Sequence, residues 1–247
     1  MSDDNRKVAL VFGGSRGIGA AIVSRLADDG YTVPFTYVSS ETAANDLTAK
    51  VRAAGGEALA IKADSAQKDD LIAAVGTTID RFGRLDVVVV NAGVARMGLV
   101  DTVPVEDLDL QLDVNVRGVF LAIQAALPHM KDGGRIVTIG SNIAQRSGFP
   151  GASVYQTTKA AVAGMVKGLA LDLAPRGITI NNVQPGPTRT DMIGALGNEG
   201  MDMVMGMVPL KRMAEPEEIA GLVSYIARDE AGYVTGASLT IDGGFAL

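Results

Sequence analysis

Lys7-Val8-Ala9-Leu10-Val11-Phe12-Gly13-Gly14-Ser15-Arg16-Gly17-Ile18-Gly19 is the stretch on which the reading of this chain turns. After Lys7 the residues are apolar and strand-prone, the middle is a glycine cluster, and from Gly17 onward Ile18, Ile22, Val23 and Leu26 take helical spacing. Strand, glycine turn and helix arrive in that order. Such glycines permit a tight turn and close backbone approach, so that a pyrophosphate can meet the free N–H groups at the start of the helix. The spacing is GxxxGxG rather than the commoner GxGxxG, and the turn needs support from elsewhere in the chain.

Outward from this turn, short β-rich runs alternate with helical patterns to the end of the chain. Candidate strands fall at 7–12, 31–38, 57–62, 85–90, 135–140, 178–183 and 238–241, and between them apolar residues recur at helical spacing, as in Leu71, Val75, Ile79 and Phe82. That alternation predicts an α/β fold with a parallel sheet covered by helices on both faces. A chain of 247 residues suits one domain, 1–247, and no linker, repeat or low-complexity tract divides it. Pro34 lies inside the second strand and cannot donate a ladder hydrogen bond, so a local irregularity is expected there. The segment at about 187–213 is looser and rich in methionine, which suits either a mobile apolar wall for a substrate or a helical pair packed on the core.

Composition narrows the chemistry. With 47% hydrophobic and 20% charged residues the chain reads as a soluble globular protein. Its polar first seven residues look like neither a secretion signal nor a transit peptide, and its apolar runs are far shorter than a membrane span. Cysteine is absent, which excludes disulfides, thiolate nucleophiles and Cys-ligated metals and is compatible with the cytoplasm. The single histidine, His129, follows Pro128 near a helix end and reads as a solvated terminal residue, so no His-based triad or metal site is expected. A net charge of −6 opposes nonspecific binding to nucleic acid or anionic membrane, so any phosphate site must be local.

Dinucleotide sites that favour NAD place an acid near the end of the second strand to hold the ribose hydroxyls. Here the strand ends Thr36-Tyr37-Val38-Ser39-Ser40, with no acid before Glu41. Nothing there repels a 2′-phosphate, while Arg16 can pair with it and Ser39 or Ser40 can donate hydrogen bonds. NADP(H) is therefore the expected cofactor. The competing readings are a solvated Arg16 and a serine that caps the helix starting at Glu41.

Tyr155-Gln156-Thr157-Thr158-Lys159 sets a tyrosine and a lysine four apart, on one face of a helix. A tyrosine can donate a proton to a developing alkoxide, but its ordinary pKa near 10 is high for exchange at neutral pH. Bringing it near neutrality takes about 4 kcal/mol of preference for the phenolate, which Lys159 and an electropositive cofactor ring can supply. Upstream, the fifth strand runs into Ser141, whose hydroxyl can hydrogen-bond a carbonyl.

With these residues in place, the chain resembles the short-chain dehydrogenase/reductase family over nearly its whole length, specifically its single-domain members. Gly13, Gly17 and Gly19 stand at the family's glycine positions, with Ser15, Arg16 and Ile18 in the same turn. Asn91-Ala92-Gly93 matches its fourth-strand motif, and Asn115, Ser141, Tyr155 and Lys159 its catalytic tetrad. The resemblance further implies cofactor contacts at Tyr37, Ser39, Ser40, Asp64 and Ser65, and nicotinamide contacts at Pro185, Gly186, Thr188 and Thr190. It implies a Rossmann-type doubly wound sheet of order 3-2-1-4-5-6-7 and hydride transfer from the B face of the ring. Tyr155 would then protonate the carbonyl oxygen, Ser141 would polarise it, and Lys159 would hold the ribose and lower the tyrosine pKa. Asn115 would complete a proton relay through water.

Three positions depart from the family pattern. Phe12 replaces the usual Thr, Val90 replaces the first Asn of an NNAG motif, and fourteen positions rather than thirteen separate Ser141 from Tyr155. The longer loop bears on the substrate mouth around Arg146 and Phe149. Val94, Phe149, Met192, Met203 and Met207 suggest an apolar pocket, with Arg96 or Arg146 placed to meet an anionic tail. The expected activity is NADPH-dependent reduction of a ketone, with the 3-oxoacyl-thioester reductases as the most similar branch. An alcohol dehydrogenase working in the oxidative direction and a non-catalytic NADPH-sensing regulator are the alternatives. Ala160, Gly164 and Gly168 form a small-residue stripe that suits either a helix-paired dimer or packing on the chain's own sheet. The resemblance implies a homotetramer, with residues 243–247 near a second interface.

Overall fold

The computed structural model describes residues 6–191 and 197–247; Met192 lies outside the described residues. Side chains alternate along β1 (Ala9–Phe12), sending Ala9 and Val11 to one face of a sheet and Leu10 and Phe12 to the other, all fully buried. Both faces must therefore be covered. The chain does this by alternating α1 (Gly17–Asp28), β2 (Thr32–Tyr37), α2 (Glu41–Ala53), β3 (Glu57–Lys62), α3 (Lys68–Phe82) and β4 (Leu85–Val90). It continues through α4 (Val105–Leu112), α5 (Gly118–Ala126), β5 (Met130–Ile139), α6 (Ser153–Leu173) and β6 (Thr179–Pro185). Last come α7 (Gly197–Met207), α8 (Pro216–Ala227) and β7 (Ser238–Ile241).

The seven strands form one parallel sheet of order β3-β2-β1-β4-β5-β6-β7, as the family resemblance implies. On one face Val11, Phe35, Val89 and Val183 pack with Ile22 and Leu26 of α1, Leu47 of α2 and Val223 of α8. On the other, Leu10, Val88 and Ile136 pack with Leu71 of α3, Ile123 of α5 and Val166 of α6. Strand order reverses between β1 and β4, and ligands of such sheets bind at the carboxyl ends of the strands beside that switch.

The irregularity expected at Pro34 is visible on one side of β2. Thr32 N–H donates to Lys7 O and Thr36 O accepts from Gly14 N–H, so Pro34, in the same phase, turns its missing N–H toward β1. Pairing there reduces to Val8 with Thr32 and Val11 with Phe35, while the β3 side stays in register from Thr32 to Tyr37. β5 begins five residues before its sequence reading. Lys131-Asp132-Gly133-Gly134 has the composition of a turn, but it forms an irregular strand start with a register shift opposite Leu85 and Val87.

Helices α4 and α5 are joined by a single π turn, Asp113–Arg117, into one helical stretch, Val105–His129. Its 25 residues, with a mean hydropathy of 1.2 over an 18-residue window, are by length and composition long and apolar enough to cross a membrane, which short apolar runs in the sequence did not suggest. In the fold Val119, Ala122, Ile123 and Ala126 of this stretch are buried against the sheet. His129 is exposed at its end, as expected. The stripe on α6 does not pack on the chain's own sheet. Ala160, Gly164 and Gly168 are exposed, a Cβ at either glycine would meet nothing within 4 Å, and neighbouring Leu171 is 78% exposed.

Candidate active site

The glycine turn at the end of β1 is fixed by backbone. Gly13 has φ +79°, and a Cβ there would fall 2.7 Å from Ala92 Cα. At Gly19 a Cβ would lie 2.1 Å from Gly13 O and 2.7 Å from Asn91 Nδ2. Asn91 closes the lock by donating from Nδ2 to Gly13 O, while the N–H groups of Asn91 and Ala92 donate to Phe12 O. The β4 motif is thus a brace for the β1 turn. Phe12, in place of the family's Thr, is fully buried in the core; Thr36 Oγ1 accepts from Gly13 N–H.

Helix α1 begins here with Arg16 at its N-cap, no side-chain cap and no acid in its first turn. Its leading N–H groups are open to an anion, and Gly17, at φ +53°, keeps a bare face beneath them. This cradle fits a dinucleotide pyrophosphate. Next to it Ser15 and Ile18 are half-buried, and Arg16 is exposed with no ion pair among the described residues. Tyr37 closes β2, and exposed Ser39 and half-buried Ser40 follow. Ser40 precedes α2 but makes no side-chain cap, which removes the capping alternative and leaves its hydroxyl for a ligand. Asp64 and Ser65 stand after β3. Asp64 Oδ1 accepts from Ala66 N–H, and Ser65 is buried against the α5 start, where a Cβ on Gly118 would reach within 2.3 Å of Ser65 O.

Beyond β4 the loop meets the tetrad. Gly93 packs between Asn115 and Lys159: its Cβ position is 3.4 Å from both Asn115 Oδ1 and Lys159 Nζ. Asn115 is carried by the π turn, a feature that recurs at functional sites. Its Oδ1 accepts from Val94 N–H, and its Nδ2 donates to Val94 O and Thr158 Oγ1, tying the β4 loop to α6. Ser141, at the end of β5, caps a short turn by accepting from Ile143 N–H. Its hydroxyl also lies on the phenol side of Tyr155, where it favours the phenolate.

Tyr155 and Lys159 lie one turn apart on α6, with Lys159 Nζ 5.6 Å from the phenol ring centre. Burial pushes the Tyr155 phenol up to about 12, against a smaller pull downward from Ser141. Burial also brings the Lys159 ammonium down to about 8. The lowering of the tyrosine expected from the sequence called on Lys159 together with the cofactor ring; without the cofactor, burial sets the phenol, and Lys159 Nζ donates to Ile139 O at 3.0 Å.

Pro185 and Gly186 end β6, and Gly186 N–H donates to Ile241 O. Thr188 is buried with its hydroxyl donating to Gly186 O, and Thr190 turns its methyl toward Gly17, 3.2 Å from the Cβ position there. Among the proposed substrate contacts, Val94 and Phe149 are half-buried near the tetrad loops, and Met203 is 56% exposed on α7. Met207 packs its sulfur toward Gly148. Arg96 is exposed, with Asp107 at 3.8 Å. Arg146 is exposed, and its Nη1 donates to the carbonyl oxygens of Phe245 and Leu247. Sequence reasoning missed Asn142, Thr158 and Asp242, whose roles come from contacts between distant segments; only their proximity to Ser141, Tyr155 and Gly243-Gly244 was visible in the sequence.

Residues 13–246 match the family model described as enoyl-(acyl carrier protein) reductase. A cyclic-di-GMP-binding biofilm dispersal mediator protein of Escherichia coli K12 is 43% identical over 239 residues, covering 97% of each chain. A 3-oxoacyl-[acyl-carrier-protein] reductase of Synechocystis is 41% identical over 244 residues, 98% of this chain and 97% of the relative. Among solved structures, a short-chain dehydrogenase/reductase of Serratia marcescens superposes with a TM-score of 0.96 at 51% identity, covering all of both chains. A short chain dehydrogenase of Burkholderia cenocepacia in complex with NADP gives 0.95 at 45% identity, over 98% of this chain and all of that one. With its glycine turn, braced β4 motif and Ser-Tyr-Lys arrangement on this sheet, the chain belongs to the short-chain dehydrogenase/reductase family.

Proposed function

We propose that the chain reduces a ketone to a secondary alcohol with NADPH. The observation that carries this reading is the convergence of Ser141, Tyr155 and Lys159, with the phenol kept protonated by burial. A general acid must arrive with its proton, and a phenol held at about 12 does so at neutral pH. The nicotinamide supplies the hydride. Ser141 donates to the carbonyl oxygen and orients it, and Tyr155 delivers its proton to that oxygen. Lys159, mostly cationic at neutral pH, steadies the phenolate left behind and holds the ribose. Asn115 keeps the β4 loop and α6 at fixed separation.

For cofactor binding, the α1 N-terminus takes the pyrophosphate, with Gly13, Ser15, Gly17, Ile18 and Gly19 forming the turn. Arg16, Ser39 and Ser40 take the 2′-phosphate, and the bound NADP of the B. cenocepacia relative supports this choice. Tyr37, Asp64 and Ser65 border the adenosine, and Asn91, Ala92 and Gly93 the ribose. Pro185, Gly186, Thr188 and Thr190 border the nicotinamide amide. Val94, Phe149, Met203 and Met207 give the substrate an apolar wall. The acyl-carrier names of the family model and the Synechocystis relative favour 3-oxoacyl thioesters among the ketones to be tried. Assembly follows the exposed α6 stripe: two α6 helices pair to form a dimer, and two dimers a tetramer. Light scattering that finds only monomer would refute this.

A second reading, a ligand-binding regulator without turnover, draws on the name of the E. coli relative. The complete tetrad weighs against it. Oxidation of NADPH and NADH across a panel of ketones, ketoesters, 3-oxoacyl thioesters and diketones separates the readings. Turnover with NADPH supports the reductase; preference for NADH and alcohols supports the oxidative enzyme. NADPH binding with no turnover on any compound supports the regulator.

A further inference from the structure

We propose that Asp242 is a positioning residue, which uses the C-terminal tail to set Ser141 and the Pro185-Gly186 turn in register with each other. The inference rests on the reductase reading and deepens it.

Asp242 follows β7 and lies between both structures. Asn142, the buried neighbour of Ser141, donates from Nδ2 to Asp242 Oδ2 at 3.3 Å. The same carboxylate folds the tail around itself, accepting from Gly244 N–H at Oδ1 (2.9 Å) and from Ala246 N–H at Oδ2 (2.8 Å). Gly186 is seated on this residue: a Cβ there would fall 2.5 Å from Asp242 Cβ. Only glycine allows the nicotinamide-side turn to approach so closely. The tail then secures the far end of the Ser141 loop. Phe245 is buried with its ring 2.8 Å from the Cβ position of Gly148, and Arg146 donates to Phe245 O and Leu247 O. The loop at 142–149 is thereby held at its start by Asp242 and near its end by the tail that Asp242 organises. Asp242 touches no reacting atom. It acts through Asn142, and a shift of about 1 Å in a catalytic hydroxyl costs on the order of a hundredfold in rate.

The test compares wild type, Asp242→Asn and the exchange Asn142→Asp with Asp242→Asn. In the single variant an amide has one acceptor oxygen for three donors, and its own N–H groups oppose them. In the exchange the contact between positions 142 and 242 returns with donor and acceptor reversed. We expect Asp242→Asn to lower kcat by about tenfold or more while NADPH affinity stays within about threefold, and the exchange to restore part of kcat, because the contact to position 142 returns while one tail N–H still lacks its acceptor. Amide hydrogen exchange over 142–149 should quicken in the single variant and slow again in the exchange, with α1 unchanged. A kcat within about twofold of wild type, loss of kcat and NADPH affinity together without rescue, or quickened exchange throughout the molecule would each overturn the proposal. If wild-type protein reduces no ketone, the reductase reading fails on its own. The hydrogen exchange then decides the bracing: unchanged rates over 142–149 overturn it, and a local, reversible increase upholds it.

Discussion

At the end of β1 the chain is held by backbone and by missing side chains: Gly13 against Ala92, Gly19 against Gly13 O, and Asn91 Nδ2 on Gly13 O. At the ends of β5 and β7 it is held by side chains reaching between distant loops: Asn142 to Asp242, Arg146 to the tail carbonyls, and Phe245 beside Gly148 and Met207. The first arrangement tolerates almost no added atom. The second depends on donors and acceptors that meet only once distant segments pack, so it is sensitive to a change of functional group as well as to added volume.

The largest effect that sharpens this contrast falls on the chemistry between the two regions. Tyr155→Phe removes only the proton donor, so turnover should fall by about 10²- to 10⁴-fold while NADPH titration by fluorescence changes little. Retained turnover would break the proposed mechanism. Next, Gly19→Ala tests the rigidity of the β1 turn. Its Cβ would overlap Gly13 O, and urea unfolding should show a loss of about 3 kcal/mol together with loss of both NADPH and NADH binding. An unchanged midpoint would mean that the turn yields as readily as the β5 loop.

A pH titration probes the buried pair. Burial holds Lys159 at about 8 against an ordinary value of 10.5, so between those values the unfolded chain binds a proton that the folded chain has released. Stability from this group therefore rises with pH through that window, by an amount on the order of 2 kcal/mol, and Lys159→Met should abolish the rise. Tyr155 acts in the opposite sense only above pH 10, where the folded phenol keeps its proton up to about 12. Urea midpoints of wild type and variant at pH 8 and pH 10 measure the difference; parallel midpoints would exclude a desolvated ammonium. The smallest effect belongs to Arg16→Ala. Because Arg16 is exposed, NADPH should weaken by about 1 kcal/mol and NADH not at all. Equal weakening of both would remove its role at the 2′-phosphate.

How far these features could be read in advance depends on the range of the interaction that makes them. The parallel sheet followed from alternation of strand and helix and its strand order from the family resemblance, and the strand at 85–90 was placed to the residue because five of its six residues are apolar and the flanks are polar. Strand β5 was misjudged at its start because Lys131 to Gly134 have turn composition, and tertiary pairing overrode it. The exposed state of the α6 stripe was open in the sequence, since a small residue suits a neighbour from either the same chain or another.

By itself the sequence determined where the backbone must turn tightly, where strands and helices alternate and which residue types carry the proton chemistry. Those are properties of glycine conformation, side-chain period and functional-group identity, all local to a few residues. Only the tertiary structure decided that burial raises the Tyr155 phenol and lowers the Lys159 ammonium, that Arg146 holds the tail, and that Asp242 reaches Asn142 across a hundred residues of chain. Desolvation and hydrogen bonding depend on what surrounds a group in space, and that is set by how the segments pack together.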